Sequence, residues 1–138
     1  MSGRVMGLDW GRVRVGVALS DLSQCIATPR RTLKAVPRKA LLEEIQRIIE
    51  WEEVTLVIVG IPYNMDGSEG ESALQARRLV EDVRQLGVAV EEHDERLTSF
   101  SAKQVLRELG KKPSREKEQI DRVAAAILLQ DYLDSRQV

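Results

Sequence analysis

The run VTLVIVG, Val54 to Gly60, does most to narrow the possible folds. Beyond Thr55 it carries no polar residue, and a β-branched run of that kind is the mark of a strand covered on both faces. Such a strand lies inside a parallel sheet, so helices must flank it on each side. The neighbouring segments supply them. Upstream, Pro37 stands where a helix can start, and Ala40, Leu41, Leu42, Ile45, Ile48 and Ile49 recur at helical spacing through Trp51. Downstream, the turn-rich IPYNMDGSEGES leads to Ser72 and a helix with Leu74, Leu79, Val83 and Leu86 on its apolar face, ended by Gly87.

The rest of the chain reads against that centre. Val5–Trp10, Arg14–Ser20 and roughly Ile26–Leu33 are three successive strands, with Val13, Val15, Val17 and Leu19 on one side of the second. VAVEEHDE is a further strand. LTSFSAKQVLRELG offers Thr98 or Ser99 as N-cap, Phe100, Val105, Leu106 and Leu109 for the core, and Gly110 as a stop. KKPSREKE reads as a polar, mobile connection. A last helix runs from Ser114 or later to Ser135, with Ile120, Val123, Ala124, Ile127 and Leu128 on its apolar face. Its Ala124–Ala126 run permits close approach to a sheet. The order β-β-β-α-β-α-β-α-α requires an α/β sandwich: a mixed sheet with helices on both faces.

With 138 residues, 43% of them hydrophobic, the expectation is a single domain over residues 1–138. No segment approaches the ~20 apolar residues of a membrane span, and MSGRVMGLDW lacks the apolar block of a secretion signal, so a soluble cytoplasmic protein that makes no membrane contact is expected. The single cysteine, Cys25, rules out an internal disulfide and a cysteine-rich metal cage, and reads as a small semi-buried apolar residue. A net charge of -1 hides an uneven distribution. Residues 1–42 carry eight Lys and Arg against two acids, residues 43–95 four against fourteen, and residues 96–138 nine against six. A fold that joins the two ends presents a positive face to a phosphate backbone.

Asp9 interrupts an apolar strand, and an ionised carboxylate buried there costs several kcal/mol unless something compensates it. Asp94 and Glu95 end another strand, and Asp121 lies on the last helix. Three carboxylates gathered at one end of the sheet repel one another unless a divalent cation sits among them, and an all-oxygen set selects Mg²⁺ or Mn²⁺ over zinc. Metal-assisted hydrolysis of a phosphodiester suits such a site. Each acid also has a plainer use. Asp9 can accept backbone N–H groups near Gly11, Glu95 can pair with Arg96 or cap the following helix, and Asp121 can pair with Lys117. For phosphate contacts the candidates are Arg12 and Arg14, beside Asp9, and Lys111, Lys112 and Arg115 before the last helix. With aromatics at 4%, an extended base-stacking platform is not expected. His93 reads as solvated or salt-bridged.

GLDWGRVRVGVALSD, VGIPYNMDGSEGESA, DERLTSFSA and IDRVAAAILLQDYL together resemble the four signature blocks of the YqgF/RuvX family, the Holliday-junction-resolvase-like proteins assigned to nuclease action at the 5′ end of pre-16S rRNA. The resemblance spans nearly the whole chain. It implies an RNase H-like three-layer sandwich with a five-stranded sheet in the order 3-2-1-4-5. It also implies that Asp9, Glu95 and Asp121 are the catalytic, metal-binding acids, with Mg²⁺ or Mn²⁺ as cofactor. Arg96, Thr98 and Ser99 then position phosphate or the carboxylates. Asn64 either contacts substrate or forms a turn. The implied partner is nucleic acid, as structured RNA in ribosome biogenesis or as branched DNA, bound by a monomer or a homodimer. In that strand order Glu95 leaves the edge strand, one strand removed from Asp9.

Two other readings compete. Asp9-x-Gly11 followed by Gly16-Val17-Ala18 also resembles the phosphate loop of actin-like ATPases and sugar kinases, which close two lobes over their nucleotide where this chain has length for one. A non-catalytic RNA-binding or ribosome-assembly role is the other; three grouped acids facing a phosphate backbone disfavour it.

Overall fold

A computed structural model describes residues 3–98, 100–111 and 116–136, without the side chain of Phe100. Strands β1 (Arg4–Asp9), β2 (Arg14–Ser20) and β3 (Ala27–Lys34) are followed by helix α1 (Arg38–Trp51), strand β4 (Val54–Ile61), helix α2 (Glu71–Arg84) and strand β5 (Ala89–Asp94). A 3₁₀ turn, Glu95–Leu97, precedes helices α3 (Phe100–Leu109) and α4 (Lys117–Ser135). The sheet order is β3-β2-β1-β4-β5, the expected 3-2-1-4-5. β1 pairs antiparallel with β2 and β2 with β3, whereas β1–β4 and β4–β5 are parallel. β4 lies between two parallel neighbours, as its apolar run requires.

Side chains alternate across the sheet and divide the core in two. Met6, Leu8, Val15, Val17, Leu19, Val57 and Val59 meet α1 and α2 through Leu41, Ile45, Leu79 and Val83. On the other face Val5, Ala18 and Ile58 meet α4 through Ala125, Leu129, Tyr132 and Leu133. Four expectations about faces need correcting, one of them Val105, which is 47% exposed on α3 instead of entering the core. Val13 is 63% exposed, because it falls in the turn before β2 begins. Leu74 is 53% exposed, and Ala73, Ala76 and Val80 take the buried side of α2 with Leu79 and Val83. On α4 only Ala124 and Leu128 of the expected five are buried; Ile120, Val123 and Ile127 are half-buried.

The sheet itself explains the rotation of α4. A Cβ on Gly7 would lie 2.8 Å from Leu129 Cβ, and one on Gly16 would lie 2.0 Å from the backbone oxygen of Asp121. The helix therefore settles onto two strand glycines, and the face of Ala125 and Leu129 becomes the deepest. Cys25, expected to be semi-buried, is exposed in the β2–β3 loop, where its N–H donates to the Asp21 carboxylate at 2.8 Å. No helix among the described residues is long and apolar enough to cross a membrane.

Candidate active site

Asp9 is the last residue of β1 and shares the face of Val5 and Gly7, under α4. Its register partner on β2 is Gly16. Since Gly16 is also where α4 touches the sheet, one glycine brings the helix backbone at Asp121 down beside Asp9. Glu95 arrives from the other side. β5 ends at Asp94, opposite Ile61, and the 3₁₀ turn lifts Glu95 off the strand. Its Oε2 lies 2.7 Å from the point a Cβ would occupy on Gly60 of β4. The carboxylate thus rests over an intervening strand that has no side chain there, and crosses the strand that separates β5 from β1.

The electrostatics follow from that gathering. Asp9 keeps part of its surface accessible, yet its carboxyl is pushed up to about 7 from an ordinary 3.8, first by burial and then by the charges of Glu95 and Asp121. Burial also raises Glu95, with Asp94 adding to it. Among the described residues no donor reaches the carboxylate of Asp9 or of Glu95. Asp121 differs: its Oδ2 accepts from Arg14 Nε at 2.6 Å, in a pair whose side chains are 28% and 26% exposed. The partner expected from helical spacing was Lys117; β2 supplies Arg14 instead. The described residues contain no preassembled cluster of three metal-ligating side chains, and the Asp121 carboxylate is turned to Arg14. The donor set nonetheless fits a hard divalent cation. Among the described residues two half-buried carboxylates have no counter-charge, and a third holds one that is exchangeable.

The remaining sequence candidates divide. Arg12 is exposed in the β1–β2 turn and has no partner among the described residues. Arg96 grips Asp94 with Nε and Nη2, at 3.1 and 2.7 Å, and lies over the ring of Tyr63 at 5.4 Å. That clamp braces the loop after β4 against the turn carrying Glu95, and the guanidinium holds Asp94 below the usual carboxylate range. Asn64 forms a turn: its side chain donates to Ser68 Oγ at 3.0 Å, and its carbonyl accepts from Gly67 N–H at 2.8 Å. Thr98 is 6% exposed; its N–H donates to the Glu95 carbonyl at 3.2 Å, and its hydroxyl has no partner among the described residues. Lys111 is exposed and reaches Glu108 at 3.3 Å. Ser99, Lys112 and Arg115 lie outside the described residues.

His93 is not solvated: with 10% of its side chain exposed, it packs under α4, its Nε2 3.5 Å from Asp131 and its ring edge-on to Tyr132. Gly16 and Gly60 seat two of the three acids, a role that the sequence reading did not assign to them. Glycine inside a strand was the available signal for close approach.

A model of the RuvX family, described as Holliday junction resolvase, matches residues 3–135. A protein of Chloroflexus aggregans named "Putative pre-16S rRNA nuclease" is 47% identical over 133 residues, which cover 96% of this chain and 94% of that protein. One of the same name from Roseiflexus sp. is 42% identical over 135 residues, covering 97% and 96%. Among solved structures, T. thermophilus RuvC in complex with Holliday junction substrate aligns with 98% of this chain and 96% of its own at a TM-score of 0.60 and 17% identity, a likeness of fold.

Proposed function

This chain belongs to the RuvX family and is a hydrolase acting on phosphodiester bonds, and we propose that it cuts nucleic acid with Mg²⁺ or Mn²⁺ held by Asp9, Glu95 and Asp121, in 5′-end processing of pre-16S rRNA. The observation that carries the proposal is the Asp9 carboxyl, half-buried beside two further acids with no donor among the described residues, and pushed up to about 7. A fold tolerates that arrangement at a cost, and a cation relieves it.

When bound, a divalent cation supplies Lewis-acid activation of water and neutralises charge developing on the phosphate. The chain's own residues do the rest. Asp9 releases its proton as the site fills, so occupancy tightens as pH rises toward 7. Asp121 turns from Arg14, and the freed guanidinium faces the incoming phosphate as a bidentate donor. Arg12, exposed in the β1–β2 turn, adds a second phosphate contact. Arg96 holds the β4–α2 loop and the Glu95 turn together, so that Glu95 stays over Gly60.

Cleavage of a 5′-extended rRNA fragment and of a four-way DNA junction, measured side by side with Mn²⁺, Mg²⁺ or chelator, tests the proposal, with Asp9→Asn as control. Metal-dependent cutting of the RNA that the variant lacks is expected. Preference for the junction would assign the second reading, a Holliday junction resolvase, which the family's description favours. That substrate has two strands to cut and calls for a homodimer, whereas trimming needs only a monomer. Binding of both substrates without cleavage would leave an RNA-binding or ribosome-assembly role, for which the ready-made Arg14–Asp121 pair speaks. All three readings place the protein in the cytoplasm.

A further inference from the structure

On the sheet face opposite the carboxylates, a cavity of about 390 Å³ opens between edge strand β3 and helix α1. Val17, Leu19 and Ile48 make an apolar floor, Arg30, Arg31 and Arg47 form the rim, and Trp51 is one wall. Trp51 is 84% exposed, so its indole contributes almost nothing to the core. The cations are incompletely neutralised. Glu44 is shared by Arg31, at 3.1 Å, and by Arg47. Glu52 is shared by Arg30, at 2.9 Å, and Arg4, at 3.6 Å. Four guanidinium groups therefore divide two carboxylates; of the neighbouring acids Glu52 lines the cavity, whereas Glu50 and Glu53 do not. Arg31 and Arg47 leave 54% and 57% of their side chains in solvent.

We propose that this cavity is a single-stranded nucleic-acid subsite, in which a base stacks on Trp51 and the flanking phosphates lie on Arg31 and Arg47. The inference rests on the nuclease reading and extends it: an unpaired segment of the substrate leaves the carboxylates, passes around the β3 edge and is held on the far face. The path is short. Two strand spacings of about 4.8 Å separate β1 from β3, and the three residues from Lys34 to Arg31 span about 10 Å. A few nucleotides cover that distance. An indole face beside surplus guanidinium suits a base and its phosphates, since stacking accepts any base and the cations follow the backbone.

The test is binding of a short fluorescein-labelled oligouridylate in chelator, where no cleavage occurs, followed by the anisotropy of the label for affinity and by tryptophan fluorescence for the stacking contact. Trp10, the other tryptophan, is packed beneath Arg38, so a quench lost in Trp51→Leu belongs to Trp51. Saturable quenching in the native protein, an affinity about tenfold lower in Trp51→Leu, and a salt dependence shallower by about one unit per lost contact in Arg31→Gln and Arg47→Gln are expected. All three positions are on the surface, so the variants remain folded and keep their cleavage of substrates without a single-stranded extension. Absence of quenching, unchanged affinity in these variants, or quenching by an acidic peptide alone would overturn the proposal. Failure of the nuclease reading shows up separately, as native protein that does not cut in Mn²⁺.

Discussion

Replacing Asp9 with asparagine removes a charge and keeps the shape, and its effect on stability follows from the site. The rise of the carboxyl from 3.8 to about 7, at about 1.4 kcal/mol per pH unit, makes ionised Asp9 cost the metal-free fold up to about 4 kcal/mol. The sign is that of a raised acid. Below about pH 3 the group is protonated in both states and makes no difference. Between pH 4 and 7 the unfolded chain loses its proton first, so stability falls as pH rises, and above 7 the full cost applies. Asparagine escapes this charge cost but leaves a buried amide short of partners, at about 1–2 kcal/mol. The variant is therefore expected to be about 2 kcal/mol more stable than the native protein at pH 8 in chelator, and equal or slightly less stable at pH 4.5. Urea denaturation followed by far-UV circular dichroism at several pH values measures both curves, and their difference isolates Asp9 from every other titrating group. Saturating Mn²⁺ should restore the native protein, by about 2.7 kcal/mol at a hundred times its Kd, and leave the variant unchanged. A variant less stable at pH 8, or a gap that does not move with pH, would falsify the view of Asp9 as an uncompensated charge and make it a structural acceptor.

The two glycines and Arg14 yield further predictions. Gly16→Ala puts a methyl 2.0 Å from the Asp121 carbonyl and must push α4 off the sheet, costing about 1–3 kcal/mol in thermal or urea melts and most of the cleavage rate. Gly60→Ala meets chiefly the end of the Glu95 side chain, at 2.7 Å, so stability should change by under about 1 kcal/mol while cleavage falls at least tenfold as Glu95 moves away from Asp9. Equal losses of stability in the two variants would refute the assignment of Gly60 as a seat for Glu95. Arg14→Gln frees Asp121 and should tighten Mn²⁺ binding by calorimetry while weakening nucleic-acid binding in chelator. Arg96→Ala releases Asp94 and Tyr63, so amide exchange in the β4–α2 loop should rise with little loss of global stability.

The elements and their order were legible in the chain because they depend on local pattern. Period-two and period-3.6 spacing of apolar residues, with Pro37, Gly87 and Gly110 as punctuation, located the strands and helices to within a few residues. The β-branched run at Val54 demanded a covered strand, and the sheet supplies it. Local pattern was less informative wherever a neighbour decided the outcome. Leu74 fits a helical stripe as well as Ala73 does, and only the packing against β4 and β5 selects the small side chain. Asp121 sits one turn from Lys117, and the ion pair went to Arg14, more than a hundred residues away in the chain.

The acids themselves could be named from sequence, since a carboxylate in an apolar strand is a local anomaly and the signature blocks mark all three. Their convergence could not. Glu95 leaves an edge strand, and it reaches Asp9 because Gly60 has no side chain to block the crossing. Asp121 stands beside Asp9 because Gly16 lets a helix backbone touch the sheet. Both depend on which residue of one strand lies opposite which residue of the next, a matter of register and close packing among segments distant in the chain. Sequence alone therefore determined the kinds of element and their order, and singled out the candidate acids. The distances that turn three separate acids into one charged site, and the arginine that neutralises one of them, were decided only when the sheet closed over its glycines.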